Sequence, residues 1–380
     1  MTDQENRSEA PVLVALGTRP EVIKLAPVIL ALRQRGLSTF VLSTGQHREI
    51  LQQALAAFDL IPDRDLGVMR PDQNLAHLSA ALLQGMDAVL QEVQPRWVVV
   101  QGDTSTVAMV ALTAFYHRVP VAHVEAGLRT GVKYDPFPEE MNRTLLGPLA
   151  DLHFAPTEPA CRNLLREGVP EERIHRVGNT VIDALRQMQD RVADRPAEDF
   201  GLELPEDRPL VLVTGHRREN FGRGLQQVFD GLRRLAKAFP EVFILFPVHL
   251  NPNVQRAARE HLDSVPNIHL SEPLGYAAFV KAMTSARLII TDSGGVQEEA
   301  AALGVPVLVT RNTSERREAI DAGVAELVGT DGGRLLDAAR RLLTDPDLHA
   351  ARAQPTDVFG DGCSGERIAA ILAGDHPPSR

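Results

Sequence analysis

The sequence predicts an α/β protein made of two Rossmann-like, doubly wound domains that face each other across a cleft. Three observations predict it. At 380 residues the chain exceeds what one hydrophobic core usually serves, so two domains of ordinary size are expected. Short β-branched runs alternate with helical stretches, the pattern of βαβ units on a parallel sheet. The runs fall into two series, the second beginning after Pro205.

Taken in order, residues 1–10 (MTDQENRSEA) are polar and lack the basic start and apolar centre of a signal peptide, so they read as a loose tail. PVLVALG (11–17), TFVLSTG (39–45), WVVVQGD (97–103) and VAHVEAG (121–127) read as buried strands of the first sheet. Helices are expected at 21–35, stopped by Gly36, and at 105–117. PLVLVTG (209–215), VFILFPVH (242–249), ARLIITDSGG (286–295), PVLVT (306–310) and AELVGT (325–330) supply the second sheet. DRVADRPAEDFGLELPEDRP (190–209) is charged and Pro-containing, and reads as a surface connection inside the second domain. The first domain is assigned to 11–178 and the second to 179–365, with 366–380 returning to the first as a helix.

The balance of 40 Lys+Arg against 50 Asp+Glu gives a formal charge of −10, which disfavours nucleic acid or an anionic membrane as partner. No apolar run approaches the roughly 18 residues that span a bilayer. Cys161 and Cys363 lack CxxC partners, so neither a disulfide framework nor a thiolate zinc site is expected, and a reducing cytoplasm fits. Any anionic ligand must be held locally.

Two turns suit that task. Gly17-Thr18-Arg19-Pro20-Glu21 follows the first strand, with Pro20 near the first helical position, so backbone N–H groups and Arg19 face the strand end together. A nicotinamide reading would need GxGxxG here, and only Gly17 is present. Lys24 lies one turn on. Thr291-Asp292-Ser293-Gly294-Gly295 repeats the arrangement in the second domain: two glycines let amides approach a diphosphate, Ser293 adds a hydroxyl, and Glu299 can accept from a ribose diol. His216 and Arg217, after another second-domain strand, and Arg316 are further candidates for anion contacts.

The acidic constellation comprises Asp103 in QGDT, Glu125 in HVEAG and Glu139 in FPEEMNR. Two of these stand at strand ends, where a charge costs stability unless it is used or paired. Packed together, such carboxylates repel, so one is expected to hold a proton near neutrality while another stays ionised. Two rival readings are a metal held by His123, Glu125 and Asp103, and a structural ion pair of Glu139 with Arg143.

GTRPEVIKLAP, TGQHRE, QGDTST, HVEAGLRTG, FPEEMNRTL, GNTVIDAL, TGHRREN, PVHLNPNV, TDSGGVQEEA and FGDG occur in that order from Gly17 to Gly362. The ordered set resembles the bacterial non-hydrolysing UDP-N-acetylglucosamine 2-epimerases, whose two-domain fold is glycosyltransferase-B-like. The resemblance implies interconversion of UDP-GlcNAc and UDP-ManNAc by loss of UDP to a 2-acetamidoglucal and its re-addition, with no cofactor and no metal. It implies catalytic roles for Asp103, Glu125, Glu139 and His216, and substrate or UDP contacts for Arg19, Lys24, Arg143, Ser293, Gly294, Gly295, Glu299 and Arg316. It also implies a homodimer and a second, activating UDP-GlcNAc at Gln46, Arg217 and His249. Asp135, Asn312 and Arg317 depart from the family's pattern, and Asp135 and Arg317 could tune the sugar accepted. Alternatives are 2-epimerisation of a modified UDP sugar such as a diacetamido uronate, or a glycosyltransferase, which would need an acceptor groove and only one base.

Overall fold

The structure is a computed structural model that describes residues 10–45, 48–70, 73–205, 207–215, 223–314 and 316–374. The chain forms two compact units, one of residues 1–184 with 360–380 and the other of residues 185–359. The first holds a seven-stranded parallel sheet: β1 (Val12–Leu16), β2 (Thr39–Ser43), β3 (Arg64–Asp65), β4 (Trp97–Gln101), β5 (Val121–Val124), β6 (Leu152–Ala155) and β7 (Ile174–Arg176), in the order β3-β2-β1-β4-β5-β6-β7. The second holds β8 (Leu210–Thr214), β9 (Phe243–Pro247), β10 (Ile268–Ser271), β11 (Ala286–Thr291), β12 (Val307–Val309) and β13 (Ala325–Leu327), in the order β10-β9-β8-β11-β12-β13. Both are doubly wound, as the alternation of apolar runs and amphipathic helices requires.

The central strands are apolar because helices cover both faces. All five residues of β1 are buried, and Leu13, Val98 and Val100 pack with Met86 and Leu90 of helix Leu75–Val93 and Val107 and Val110 of helix Ser105–Tyr116. In the second unit Val211, Ile244 and Ile290 pack with Phe229 and Leu232 of helix Arg223–Ala238. Strands β3, β6, β7 and β10 were not expected. Three of them are edges, so polar residues such as Arg64 and His175 break their apolar pattern, and β6 is interrupted by the fully buried His153.

The junctions fall at 184/185 and 359/360 rather than at the expected 178/179 and 365/366. The physical reason is a knot of contacts around the opening turn of helix Thr180–Val192. Asp183 Oδ1 accepts from the Gly365 N–H at 2.7 Å, and Asn179 Nδ2 donates to Glu125 at 3.4 Å. A Cβ on Gly360 would lie 3.2 Å from the Gly178 Cα and the Asn179 nitrogen, so the FGDG return and the GNT segment are backbone neighbours. The C-terminal helix, Ser364–Ala373, then packs on helix Arg19–Gln34. Residues 190–209 belong to the second unit, at its beginning in chain order, where Lys281 Nζ donates to the Val192 carbonyl at 3.1 Å.

Gly127, at the turn after β5, has φ +88, and a Cβ there would lie 2.3 Å from the Ala160 carbonyl oxygen. Gly127→Ala meets both left-handed strain and backbone overlap, and is expected to destabilise the first unit by about 2–4 kcal/mol. A thermal midpoint within a degree of the parent's would contradict this packing.

Candidate active site

In a doubly wound sheet the crossovers on either side of the middle pair leave in opposite directions, opening a crevice at the carboxyl ends of those strands. The switch falls between β1 and β4 in one sheet and between β8 and β11 in the other. The residues that follow them are the Gly17 turn, the Asp103 turn, Gly215 and the Ser293 turn. Four of the quoted motifs therefore begin where a ligand is expected from fold geometry alone.

The Gly17 turn departs from the expected open anion site. Glu21, in the first turn of its helix, returns its carboxylate to the turn: Oε2 accepts from the N–H of Gly17 at 2.5 Å and of Thr18 at 2.9 Å, and Oε1 accepts from Thr104 Oγ1 at 2.6 Å. Those two amides are thus occupied by the protein's own carboxylate instead of awaiting a phosphate. Glycine is required at 17, since a Cβ would lie 2.4 Å from Thr44 Oγ1 and 2.8 Å from Thr106 Oγ1. Arg19 opens the helix, half-buried. Lys24 reaches sideways, its Nζ lying 2.5 Å from Glu125 Oε2.

Asp103 and Glu125 end adjacent strands in register, Gln101 of β4 opposite Val124 of β5. Glu125 is 8% exposed and adopts φ 62, a left-handed conformation that a residue with a side chain holds only when its surroundings impose it. Its carboxylate accepts from Lys24 and Gln101 on one oxygen and from Asn179 on the other. Asp103 is gripped by helix Glu139–Leu149: Arg143 Nε and Nη2 lie 2.8 and 2.6 Å from its Oδ2, and Asn142 Nδ2 donates to its carbonyl at 2.7 Å. Glu139 is half-buried at the start of that helix, one turn before Arg143.

The rival reading pairs Glu139 with Arg143, but the ion pair forms with Glu140 instead. Arg143 Nη1 stands 3.1 Å from Glu140 Oε2, and the buried Glu140 also accepts from the N–H groups of Thr130 and Gly131 at 3.0 and 2.9 Å. Burial pushes the Glu140 carboxyl up, but those two amides and the guanidinium hold it below the usual carboxylate value. The neighbouring position wins because residue 140 turns inward under the 130–131 loop while residue 139 lies at the rim.

Two buried carboxyls outside the acidic constellation, Glu21 and Asp183, are pushed up toward neutrality. Burial raises Glu21 to about 7, against the lowering effect of Thr104, Gly17 and Thr18. Its contribution to stability is complete below the ordinary value of 4.5 and is lost as pH rises through about 7.

His123, Glu125 and Asp103 were weighed as metal ligands, and each has a partner of another kind. His123 Nε2 lies 2.8 Å from the Gly102 carbonyl, which can only accept, so that nitrogen carries the hydrogen. Burial, with His153 beside it, lowers His123 to about 3, and burial lowers His153 to about 4. Both rings thus favour their neutral form in the folded state, and the stability they contribute is full above pH 6.5 and lost as pH falls from there toward 4. Thermal midpoints measured from pH 7.5 to 4.5 are expected to fall below 6.5, and His153→Leu should shallow that fall; an unaltered slope in the variant would place the acid loss elsewhere.

In the second unit β8 and β11 are in register at Thr214 and Thr291, whose hydroxyls meet at 2.5 Å. Ser293 precedes helix Gly294–Leu303, and its N–H donates to Thr291 Oγ1 at 3.0 Å. Arg316 lies flat on the glycine turn, its Cζ 3.0 Å from where a Gly294 Cβ would stand, with its Nε 2.8 Å from Glu298 Oε1. Glu299 is buried and accepts from the Tyr276 hydroxyl at 2.8 Å. His249 is exposed, and its Nδ1 accepts from the Asn251 N–H at 3.2 Å. Arg317 and Asp135 are exposed. His216, Arg217 and Gln46 lie outside the described residues.

The residues that sequence reasoning missed are Glu21, Gln101, Glu140, Asn142, Asn179, Tyr276 and Glu298. Most stand beside or within quoted motifs, so proximity was the available signal. Their side chains serve the candidate residues, which only the folded pairing shows.

Comparison with known proteins identifies the family. A family model described as UDP-N-acetylglucosamine 2-epimerase matches residues 30–373. A UDP-N-acetylglucosamine 2-epimerase of Yersinia pestis is 48% identical over 368 residues, covering 95% of this chain and 98% of that protein. The crystal structure of the UDP-GlcNAc 2-epimerase of Neisseria meningitidis bound to UDP-GlcNAc superposes with TM-score 0.92 at 40% identity, covering 96% of this chain and 100% of the other. The Methanocaldococcus jannaschii UDP-GlcNAc 2-epimerase, in complex with UDP-GlcNAc and UDP, gives 0.84 at 34% identity, covering 96% and 99%. A glycosyltransferase of kitacinnamycin, at 13% identity and TM-score 0.62, shares the fold alone. The chain is therefore an isomerase on a glycosyltransferase-B-like pair of Rossmann-like units. It belongs to the UDP-N-acetylglucosamine 2-epimerase family.

Proposed function

We propose that the chain interconverts UDP-GlcNAc and UDP-ManNAc by removing the C2 proton as UDP leaves C1, holding 2-acetamidoglucal, and adding UDP back with protonation of the opposite face. The C2 hydrogen has no adjacent carbonyl to acidify it, so departure of the diphosphate must accompany its loss. Such a step needs carboxylates at C2 and cations or amides on the growing phosphate charge. The observation that carries the reading is the pair Asp103 and Glu125 at neighbouring strand ends, each carboxylate oriented by a buried cation, Arg143 and Lys24.

In this scheme Asp103, Glu125 and Glu139 share deprotonation and reprotonation. Arg19, Arg143, His216 and Arg316 face the diphosphate, Ser293, Gly294 and Gly295 cradle it, and Glu299 holds the ribose. Lys24 acts through Glu125. The family's second UDP-GlcNAc is assigned to Gln46, Arg217 and His249, and the working form to a homodimer in the cytoplasm. Among the described residues no helix is long and apolar enough to cross a membrane. No nicotinamide or metal takes part in the scheme.

The test is incubation with UDP-GlcNAc in heavy water containing chelator and no NAD. Deuterium at C2 of newly formed UDP-ManNAc is expected; retention of the C2 proton in the product defeats the scheme. Tyr276→Phe, which releases one bond from Glu299, is expected to weaken UDP binding by about 0.5–1.5 kcal/mol in calorimetry, and unchanged affinity would remove Glu299 from the ribose.

A further inference from the structure

Among the buried ionisable groups without a part in the scheme, Glu21 is the one that spans the switch point of the first sheet. Glu21 is 2% exposed, and burying a carboxyl is costly unless several donors satisfy it. With Thr18 at the N-cap, Glu21 completes the capping box of helix Arg19–Gln34. What a cap would not do is reach a second strand. Glu21 spans the switch point: one oxygen takes the two amides of the turn after β1, and the other takes the hydroxyl of Thr104 in the turn after β4.

Thr104 is the residue next to Asp103. The opposite side of Asp103 is held by Asn142 on its carbonyl and Arg143 on its carboxylate. The Asp103 turn is thereby clamped between two helices, and Glu21 supplies the clamp from the helix Arg19–Gln34. The fit of Gly17 against Thr44 and Thr106 leaves the β1 turn little room to shift, so the anchor itself is rigid.

Resting on the reading that Asp103 takes part in proton transfer at C2, we infer that Glu21 is a positioning residue for the reaction, fixing Asp103 through Thr104. It touches no reacting atom. Losing the clamp lets the acid drift, and a displacement of about an ångström costs on the order of a hundredfold in rate. Glutamine can keep the arrangement: its carbonyl oxygen accepts the two amides, and its NH2 donates to the Thr104 hydroxyl, which accepts as readily as it donates.

The test compares Glu21→Ala, Glu21→Gln, Thr104→Val and Thr104→Ser with the parent enzyme, reading kcat, KM for UDP-GlcNAc and C2 deuteration. Glu21→Ala is expected to lose about a hundredfold in kcat with KM within about threefold, while Glu21→Gln and Thr104→Ser stay within about threefold of the parent. Thr104→Val leaves the Glu21 amide bonds in place and should lose about tenfold, which keeps the inference testable if Glu21→Ala does not fold. Parental kcat in Thr104→Val overturns it. So does a Glu21→Gln variant that folds and is as impaired as Glu21→Ala, since charge rather than placement would then matter. A parent enzyme that makes no C2 deuteration fails the functional reading itself, whereas a competent parent with unimpaired variants fails only this inference.

Discussion

Glu125→Gln is expected to lower kcat for C2 epimerisation by about 10²–10⁴-fold, the range that a positioned acid or base contributes. The substitution is nearly isosteric, so the loss reports chemistry more than shape. Glu125 is held in a left-handed backbone conformation with three side chains on its carboxylate, Lys24, Gln101 and Asn179. An amide there keeps one acceptor oxygen but cannot carry a proton to or from carbon. It also leaves the Lys24 ammonium, 11% exposed, without a full counter-charge, so the melting temperature should fall as well. UDP affinity, measured alongside, separates the two effects: a folded variant that binds UDP yet turns over within about threefold of the parent would remove Glu125 from the chemistry.

Arg143→Met is expected to be the second large loss, and a double one. The guanidinium bridges Asp103 and Glu140 and is 8% exposed at its side chain. Removing it strands the buried Glu140 carboxylate and the partly exposed Asp103 carboxylate; breaking such a buried pair costs about 3–5 kcal/mol, less here because Asp103 is a quarter exposed. The rate should fall about a hundredfold, since the carboxylate it aims is then free to rotate. Arg143→Lys should recover little, because one ammonium cannot span two carboxylates as a planar fork does. Recovery to within about threefold by lysine would show that charge alone is required there.

Much of this architecture was legible before folding. The βα alternation gave both sheets because their central strands are buried on two faces and read as unbroken apolar runs, as VLVAL in β1 and LVLVT in β8 do. The edge strands β3, β7 and β10 escaped notice because half-exposed residues such as Arg64 and His175 carry no such run. The strand-end acids were legible because a charge after an apolar strand is conspicuous. Their partners were not. Glu21 looked like an ordinary first-turn acid beside an open anion site; the folded turn shows its carboxylate taking the Gly17 and Thr18 N–H groups and the Thr104 hydroxyl arriving from the turn after β4. The choice between Glu139 and Glu140 for Arg143 likewise depends on the loop at Thr130 and Gly131, which no helical spacing contains.

The GNT and FGDG segments gained a structural reading. They meet backbone to backbone at Gly178 and Gly360, the first shortly before the chain leaves the first unit and the second where it re-enters, and Asn179 continues from there to Glu125. A motif quoted for family resemblance thus serves both the crossing of the chain and the orientation of an acid.

The most direct measurement follows UDP-GlcNAc carrying ¹⁸O in the bond between C1 and the β-phosphate, turned over in heavy water. If carboxylates draw the C2 proton while the C1–O bond breaks, the label scrambles into the non-bridging β-phosphate oxygens and the epimerised sugar carries deuterium at C2. Epimerised product that keeps both its bridging label and its original C2 hydrogen would contradict the account.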